Sequence, residues 1–296
     1  GLAVSLAFGA EQIAGGLHYL FDTPANTFVK IVLIIIIISI ALASVVAGLD
    51  KGVKRLSELN MVLAGLLMLF VIIAGPTLVI FSTMGNAVVD YIRHLPALSN
   101  WVGREDDAFF HGWTTFYWAW WIAWSPFVGM FIARVSYGRT VREFITWVLI
   151  IPTVIGIMWM STFGGTALDQ QFSTGYMGVA DAVPELALFK MLEQLPFTGI
   201  VSTISVFLIA IFFVTSADSG SLVMDIITAG GKLDAPVAQR VFWCLLAGMV
   251  AIALMLGGGL GSLQAMTICV GLPFAVVLLL MCVGLLKGLR EEQNPG

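Results

Sequence analysis

Tryptophan is concentrated in one short stretch of the chain. Five of the nine tryptophans fall within twelve residues, at Trp113, Trp118, Trp120, Trp121 and Trp124. An indole face attracts a cation, and such a contact contributes about 2 kcal/mol when water is excluded. A quaternary ammonium group cannot donate a conventional hydrogen bond, so aromatic faces suit it better than carboxylates. The residue type and its clustering therefore predict a cage for a small quaternary-ammonium compound.

An aromatic belt at a membrane surface is the alternative interpretation of this cluster. Trp113 and Trp118 lie near the start of an apolar segment and fit such a belt. Trp120, Trp121 and Trp124 lie two to three turns inside it. At about 100° per residue, Trp121 and Trp124 share a helix face, and so do Trp120 and Trp124. The residues alone do not decide between three interpretations of the cluster: an aromatic belt, simple packing and a cage.

The tryptophan segment runs directly into Ser125-Pro126 and reaches Gly129 three residues later. Proline removes a backbone donor and clashes with the preceding turn. Interrupted helices in the middle of a membrane mark substrate and ion sites in transporters. We therefore predict a helix break at Ser125, Pro126 and Gly129, with a simple kink as the alternative.

Hydroxyl side chains cluster in the segment FFVTSADSG, residues 212–220. Hard cations prefer oxygen ligands, which the Thr215 and Ser216 hydroxyls and backbone carbonyls can supply. The alternative is that both hydroxyls bond back to the preceding turn of their own helix. Asp218 fits a helix end or a gate better than an ion ligand.

Glu11 is an acid inside the first apolar segment. An intramembrane carboxylate is a functional candidate, either as a proton relay or as a partner of a neighbouring helix. The three cysteines lie in apolar segments and act as small hydrophobic residues. No zinc-ligand spacing, phosphate-binding glycine loop or Ser/His/Asp arrangement occurs, so neither a bound cofactor nor catalysis is predicted.

Composition indicates which elements position these residues. Hydrophobic residues make up 59% and charged residues 11% of the chain, whereas soluble domains carry about 25% charged residues. Hydrocarbon admits helices or closed barrels, and the alternating pattern of barrels is absent. We predict an all-α polytopic membrane protein with a single transmembrane domain. Its eight predicted spans are residues 1–20, 29–49, 60–81, 113–135, 144–164, 199–217, 240–257 and 265–286.

Basic residues favour one side of this arrangement. Lys51, Lys54 and Arg55 lie in the loop at 50–58, and further basic residues lie after the fourth span, before the seventh and in the tail. The positive-inside rule then places both ends of the chain in the cytoplasm of a bacterial inner membrane. Residues 88–95 predict an interfacial helix, followed by an acidic cluster at 105–107. The chain opens without a methionine, which predicts that further sequence precedes it.

The segment at 113–144, with its WxWW pattern and following arginine-containing loop, resembles the betaine/choline/carnitine transporter family. The segments at 48–60, 212–220 and 271–274 carry the same resemblance. It implies a twelve-span fold whose core is two inverted repeats of five helices. The eight spans here would be the fifth to twelfth, giving a partial five-plus-five core. Members of this family are often homotrimers in lipid, and no nucleic-acid partner is implied.

The resemblance also implies roles for particular residues. Trp121 and Trp124 would bind the trimethylammonium group beside Trp120, with Trp113 and Trp118 nearer the outer access path. The hydroxyls of Thr215 and Ser216, with the Phe212 carbonyl, would form half of a sodium site. Phe127 would lie near a second ion site, although Leu2 stands where that site has a threonine.

Asn60 discriminates between subtypes within this resemblance. Sodium-independent carnitine exchangers place an arginine at this position, and its cation fills the sodium site. The neutral Asn60 therefore favours sodium-coupled symport of glycine betaine or choline. Proton-coupled choline uptake through Glu11 and sodium-independent exchange remain the alternatives. A truncated, non-transporting or osmosensing membrane module is the alternative of another class.

Overall fold

A computed structural model of the chain describes residues 1–47, 53–105, 107–232 and 236–293. Within these ranges the regular structure is helical, and no strand occurs. Helices bond their backbone polar groups internally, as a hydrocarbon environment demands. The predicted all-α class is confirmed.

Eleven α-helices and a short π-helical segment follow one another in the described residues. Their bounds are α1 Leu2–Phe21, α2 Thr27–Ala47, α3 Val53–Ala74, α4 Thr77–Ser99, α5 Asp107–Phe109, the π-helical segment Phe110–Thr115, α6 Phe116–Val135, α7 Val141–Thr174, α8 Ala187–Glu193, α9 Thr198–Thr228, α10 Val237–Leu256 and α11 Gly259–Gln293.

Six of these helices are long and apolar enough to cross a membrane, namely α2, α3, α7, α9, α10 and α11. The predicted spans at 1–20 and 113–135 correspond to α1 and α6, which have 20 residues each. They fall outside this group because α1 carries Glu11, Gln12 and His18, and α6 is rich in tryptophan. By length and composition six helices qualify as candidate spans, and the prediction of eight spans stays a prediction. The chain is a polytopic membrane protein, and many large apolar side chains on the outer faces of its helices are exposed.

The predicted span at 60–81 is divided in the structure. Helix α3 ends at Ala74, and α4 begins at Thr77 after Gly75 and Pro76. Proline lacks an amide hydrogen and disfavours helical backbone in the residue before it, which explains the interruption. Helix α4 contains the amphipathic stretch at 88–95. Lys51 of the basic loop and Asp106 of the acidic cluster lie outside the described residues.

Helix α9 is longer than predicted. The sequence pattern predicts an end near residue 217, but the helix continues to Thr228. Thr215 and Ser216 therefore lie in the helix interior and not at its end. Helix α7 similarly continues to Thr174, past the predicted end of its span at 164, and the short helix α8 lies between α7 and α9.

The main core lies among α1, α2, α9 and α10, which all pack against one another. Small residues bring these helices close together, and their buried side chains include Leu6, Ala7, Ala10, Ile34, Ile37, Ala41, Phe213, Val214, Ala217, Cys244, Ala247 and Ala251. We call these four helices the central group. Helix α6 packs mainly against α11, while α3 contacts α7 and α9. The tryptophan helix and the hydroxyl-bearing helix α9 thus belong to different parts of the molecule.

Candidate functional site

Aromatic side chains form a stripe along one face of α6 and the turn before it, in two groups of contacting rings. Ring centroids are 6.1 Å apart for Trp113 and Tyr117 and 6.0 Å apart for Tyr117 and Trp120. One turn beyond Trp120, Trp124 and Phe127 are also 6.1 Å apart. Spacings of three and four residues place side chains on one helix face, which produces the stripe. Tyr117 is not among the predicted site residues, although it occupies a helical position of the same face.

Trp120 is half-buried between α6 and α1. Its ring lies 5.2 Å from that of Phe116 and 6.4 Å from that of Phe8, in an edge-on arrangement with Phe8. Such pairs fix ring orientation beyond simple area burial. Trp120 is therefore held by packing on its α1 side.

Trp118 and Trp121 occupy a different face of α6. Their exposures are 67% and 65%, and no described residue covers them fully. The structure thus brings Trp120 and Trp124 into the aromatic stripe but does not bring Trp121 into it. Helical spacing alone allows both groupings, because Trp121 is only one turn from Trp124.

A cavity of about 250 Å³ lies beside Trp124, lined by residues of α6, α9, α10 and α11 and by Gly1, Leu2 and Ala3 at the start of the chain. Four aromatic residues line it: Trp124, Phe127, Trp243 and Phe274. Phe127 and Phe274 have ring centroids 5.9 Å apart, which joins α6 to α11. None of the described side chains around this cavity is charged. Aromatic faces without a competing carboxylate suit a quaternary ammonium group.

The predicted break in α6 is not present. Helix α6 is continuous from Phe116 to Val135 through Pro126 and Gly129. Proline leaves the carbonyl of Ile122 without its usual amide donor, and the Ser125 hydroxyl donates to that carbonyl at 3.3 Å. This replacement donor allows the helix to continue past the proline.

The hydroxyls of α9 bond mainly to their own helix. Thr215 Oγ1 donates to the Phe212 carbonyl at 2.9 Å, and Ser219 Oγ donates to the Thr215 carbonyl at 2.8 Å. For Thr215 this is the back-bonding described above as the alternative to ion binding. The Thr215 hydroxyl oxygen keeps lone pairs, so the bond does not prevent it from accepting a cation.

A second cavity of about 470 Å³ brings Thr215 together with Asn60 of α3. Gln12 of α1 and Ser57 of α3 also line it, and neither was predicted as a site residue. Oδ1 of Asn60 is buried without a hydrogen-bond partner. The polar groups in this lining are neutral amides and hydroxyls. No group of three or more His, Cys, Asp or Glu with metal-binding geometry occurs in the described part of the chain.

Phe127 and Leu2, which bear on a second ion site, both line the aromatic cavity beside Trp124. The Cδ2 atom of Leu2 would lie 2.8 Å from a Cβ placed on Gly220, so its side chain fills the space against α9. An aliphatic side chain offers no oxygen to a cation. The surroundings of Phe127 are consequently apolar on this side.

Glu11 is not isolated within its helix. Its Oε1 lies 3.4 Å from Nζ of Lys30 on α2, and the two side chains are 10% and 21% exposed. Two further acids of α9 have partners on neighbouring helices: Asp218 accepts a hydrogen bond from Ser44, and Asp225 pairs with Arg240. Sequence reasoning missed Asp225, although it follows Asp218 by two helical turns within an apolar segment.

Comparison with known proteins identifies similar sequences along the whole chain. The model of the betaine/carnitine/choline family transporters matches residues 1–294. A glycine betaine/proline/choline transporter of Vibrio parahaemolyticus is 56% identical over 99% of this chain and 53% of its own length. Glycine betaine transporter 1 of the same organism is 51% identical over 99% of this chain and 57% of its own. A glycine betaine transporter of Acinetobacter baylyi is 47% identical over 99% of this chain and 45% of its own length. The chain thus spans about half the length of these curated relatives.

Proposed function

This chain belongs to the betaine/carnitine/choline transporter family, and on that premise we propose that it is the membrane core of a sodium-coupled symporter for quaternary-ammonium compounds. The family is one of transporters and not of enzymes. Relatives named as glycine betaine or choline transporters support the choice of cargo. Glycine betaine and choline share a trimethylammonium group, the feature that aromatic faces recognise.

The observation that carries this proposal is the aromatic cavity beside Trp124. The cargo's methyl groups would meet the rings of Trp124, Phe127 and Trp243, and no described charged side chain around that cavity would compete for the cation. Trp120 holds the preceding turn of α6 against α1. Trp121, assigned to the cage by the family resemblance, would act from the exposed face of the same helix.

Sodium is the proposed coupling ion because of the second cavity. Thr215, Asn60, Gln12 and Ser57 offer neutral oxygen atoms there, and one of them, Oδ1 of Asn60, is buried without a partner. Neutral oxygens favour a monovalent cation over Ca²⁺, which binds several carboxylates. Ser216 and the Phe212 carbonyl, beside Thr215 on α9, complete the proposed ligand set.

Proton coupling through Glu11 is less well supported. Its carboxylate already pairs with the Lys30 ammonium, and a relay would have to break that pair in each cycle. The neutral Asn60 similarly argues against exchange that uses a fixed cation instead of sodium. The excess of basic residues in one set of loops supports cytoplasmic chain ends in the bacterial inner membrane.

Alternating access would expose this site to one side of the membrane at a time. Helix α6 packs mainly on α11, whereas α9 lies in the central group. Relative movement of these two parts would change access to the cavity between them. Helix α9 lines both the aromatic cavity and the cavity that contains Thr215, so binding of cargo and of ion would bias the same conformational change.

Uptake of radiolabelled glycine betaine and choline into cells expressing the complete gene tests the proposal. We expect uptake to need an inward sodium gradient and, at low substrate concentration, to fall strongly in Trp124→Ala. Trp101→Ala is the matched control, since Trp101 is 74% exposed in a loop outside the cavity. Uptake driven by a proton gradient alone would overturn sodium coupling and leave the aromatic site standing. Absence of uptake for both compounds would overturn the cargo.

A further inference from the structure

Trp243 on α10 lines the aromatic cavity, although it is not among the predicted site residues. The other three aromatic side chains of this lining belong to α6 and α11. Helix α10 otherwise contributes aliphatic side chains to the lining, those of Leu246, Ala247 and Val250. Trp243 is therefore the aromatic group that borders the cavity from the α10 side.

One hydroxyl group holds the indole nitrogen of Trp243. Nε1 of Trp243 donates to Oγ1 of Thr228, the last residue of α9, at 2.9 Å. Nε2 of Gln239 donates to the same oxygen at 2.7 Å. The Thr228 hydroxyl itself donates to the Met224 carbonyl at 2.7 Å. A hydroxyl has one hydrogen and two lone pairs, so this group uses its full hydrogen-bonding capacity.

Thr228 lies outside the lining of the cavity, whereas Trp243 and Met224 belong to it. The hydrogen bond therefore directs the N–H edge of the indole toward Thr228 and not into the cavity. An aromatic ring carries negative charge on its face and positive charge at its edge. Turning the N–H edge away removes a repulsive contact with a cation and leaves the ring face available to it.

Other contacts determine the ring plane of Trp243 only weakly. Its aromatic neighbour Phe242, with ring centroids 5.2 Å apart, is itself 54% exposed. The χ2 torsion of tryptophan has broad preferences, so covalent geometry allows several orientations of the ring. A hydrogen bond is directional and weakens steeply when the N–H points away from its acceptor. The bond to Thr228 thus selects one orientation.

We propose that Thr228 is a positioning residue for cargo binding, which orients the Trp243 indole so that its face meets the quaternary ammonium group. The cation is then held by aromatic groups of α10 as well as those of α6. Thr228 acts through Trp243 and does not touch the cargo. This inference rests on the proposed function, because it needs a cationic cargo in the cavity.

Kinetics of glycine betaine uptake by the full-length protein test this role in a double-mutant cycle. Thr228→Val keeps the side-chain size but removes the acceptor, so KM should rise about fivefold as part of the cation–π contact is lost. The kcat should not change. Thr228→Ser restores the acceptor and should return KM to the parent value. Trp243→Phe has no N–H to orient, so adding Thr228→Val to it should not raise KM further.

Fluorine NMR of protein labelled with 5-fluorotryptophan provides a readout that does not depend on transport. The resonance that is missing from the spectrum of Trp243→Phe belongs to Trp243. It should shift in Thr228→Val, because the indole loses its acceptor and reorients, and it should keep its position in Thr228→Ser. Addition of glycine betaine should also shift it in the parent protein.

Thr174→Val is the matched control. Thr174 is likewise the exposed last residue of its helix, donates to the carbonyl four residues earlier at Gln170, and lies outside the cavity lining. It should change neither KM nor the Trp243 resonance.

Three results would overturn the positioning role: an unchanged KM in Thr228→Val, an equal further rise of KM in the Trp243→Phe background, or a Trp243 resonance that does not move in Thr228→Val. The third result is independent of transport. A parent protein that takes up neither glycine betaine nor choline would instead overturn the proposed function.

Discussion

Lys30 on α2 places its ammonium nitrogen 3.4 Å from Oε1 of Glu11 on α1, within the membrane-embedded core. The carboxylate is 10% exposed, and it lies 3.9 Å from the position that a Cβ on Gly259 would take at the start of α11. The acid therefore sits where three helices meet. Its surroundings resemble a structural ion pair more than a proton path open to water.

The first prediction concerns this pair. Lys30→Met leaves a buried carboxylate without its cation, which typically costs about 3–5 kcal/mol of folding free energy. The double variant Glu11→Gln/Lys30→Met removes both charges and should be clearly more stable than Lys30→Met. Thermal unfolding in detergent, followed by size-exclusion chromatography, measures this order. If Glu11→Gln alone removes ion coupling while stability is unchanged, Glu11 is a relay after all.

The second prediction concerns the face of α6 that carries Trp124. Trp124→Ala should weaken cargo binding by about 2 kcal/mol, or about 30-fold in KM, because a desolvated indole contact is lost. Trp124→Phe keeps a smaller aromatic face, so its KM should lie between those of the parent and of Trp124→Ala. Kinetics of glycine betaine uptake provide the measurement. A KM in Trp124→Ala equal to that of the parent would rule out the cavity as the cargo site.

The third prediction concerns the ion. Thr215→Ala should raise the sodium concentration for half-maximal uptake, and Thr215→Ser, which keeps the hydroxyl, should not. Thr203→Ala is the control, since the Thr203 hydroxyl also donates to its own helix, at the Gly199 carbonyl, but at an exposed position. Asn60→Ala should act in the same direction as Thr215→Ala because both residues line one cavity. Equal sodium dependence of the Thr203 and Thr215 variants would contradict the assignment.

The fourth prediction concerns a close helix contact. A Cβ on Gly16 of α1 would lie 2.5 Å from Cζ of Phe189 and 2.6 Å from Cγ2 of Val206. Gly16→Ala should therefore destabilise the fold by about 1–3 kcal/mol through overpacking. Gly65→Ala is the control: Gly65 has open space around it on α3, and a mid-helix alanine there should stabilise by about 0.5–1 kcal/mol. Thermal unfolding measures the Tm of both variants, and equal shifts in Tm from the parent would show that the Gly16 contact is not close.

The sequence by itself determined the class of protein and the positions of most helices. An apolar composition with few charges leaves helices as the only way to satisfy backbone groups in lipid. It also showed the tryptophan segment and the hydroxyl-bearing segment, because residue type and helical spacing are local properties. Local signals were weakest at helix ends, where α9 continued past residue 217 and Pro76 divided a predicted span.

Tertiary structure alone decided which of these residues meet. Spacing permits Trp124 to share a packed face with either Trp120 or Trp121, and packing on α1 and α11 selects the face that carries Trp120. The contact between Ser44 and Asp218 spans 174 residues of sequence, and Asn60 meets Thr215 across a similar separation. No local periodicity encodes such contacts, since they depend on how helices distant in the chain bury their surfaces together. Physically, the sequence determines which side chains each helix face carries. The packing of the helices determines which side chains of other helices they contact.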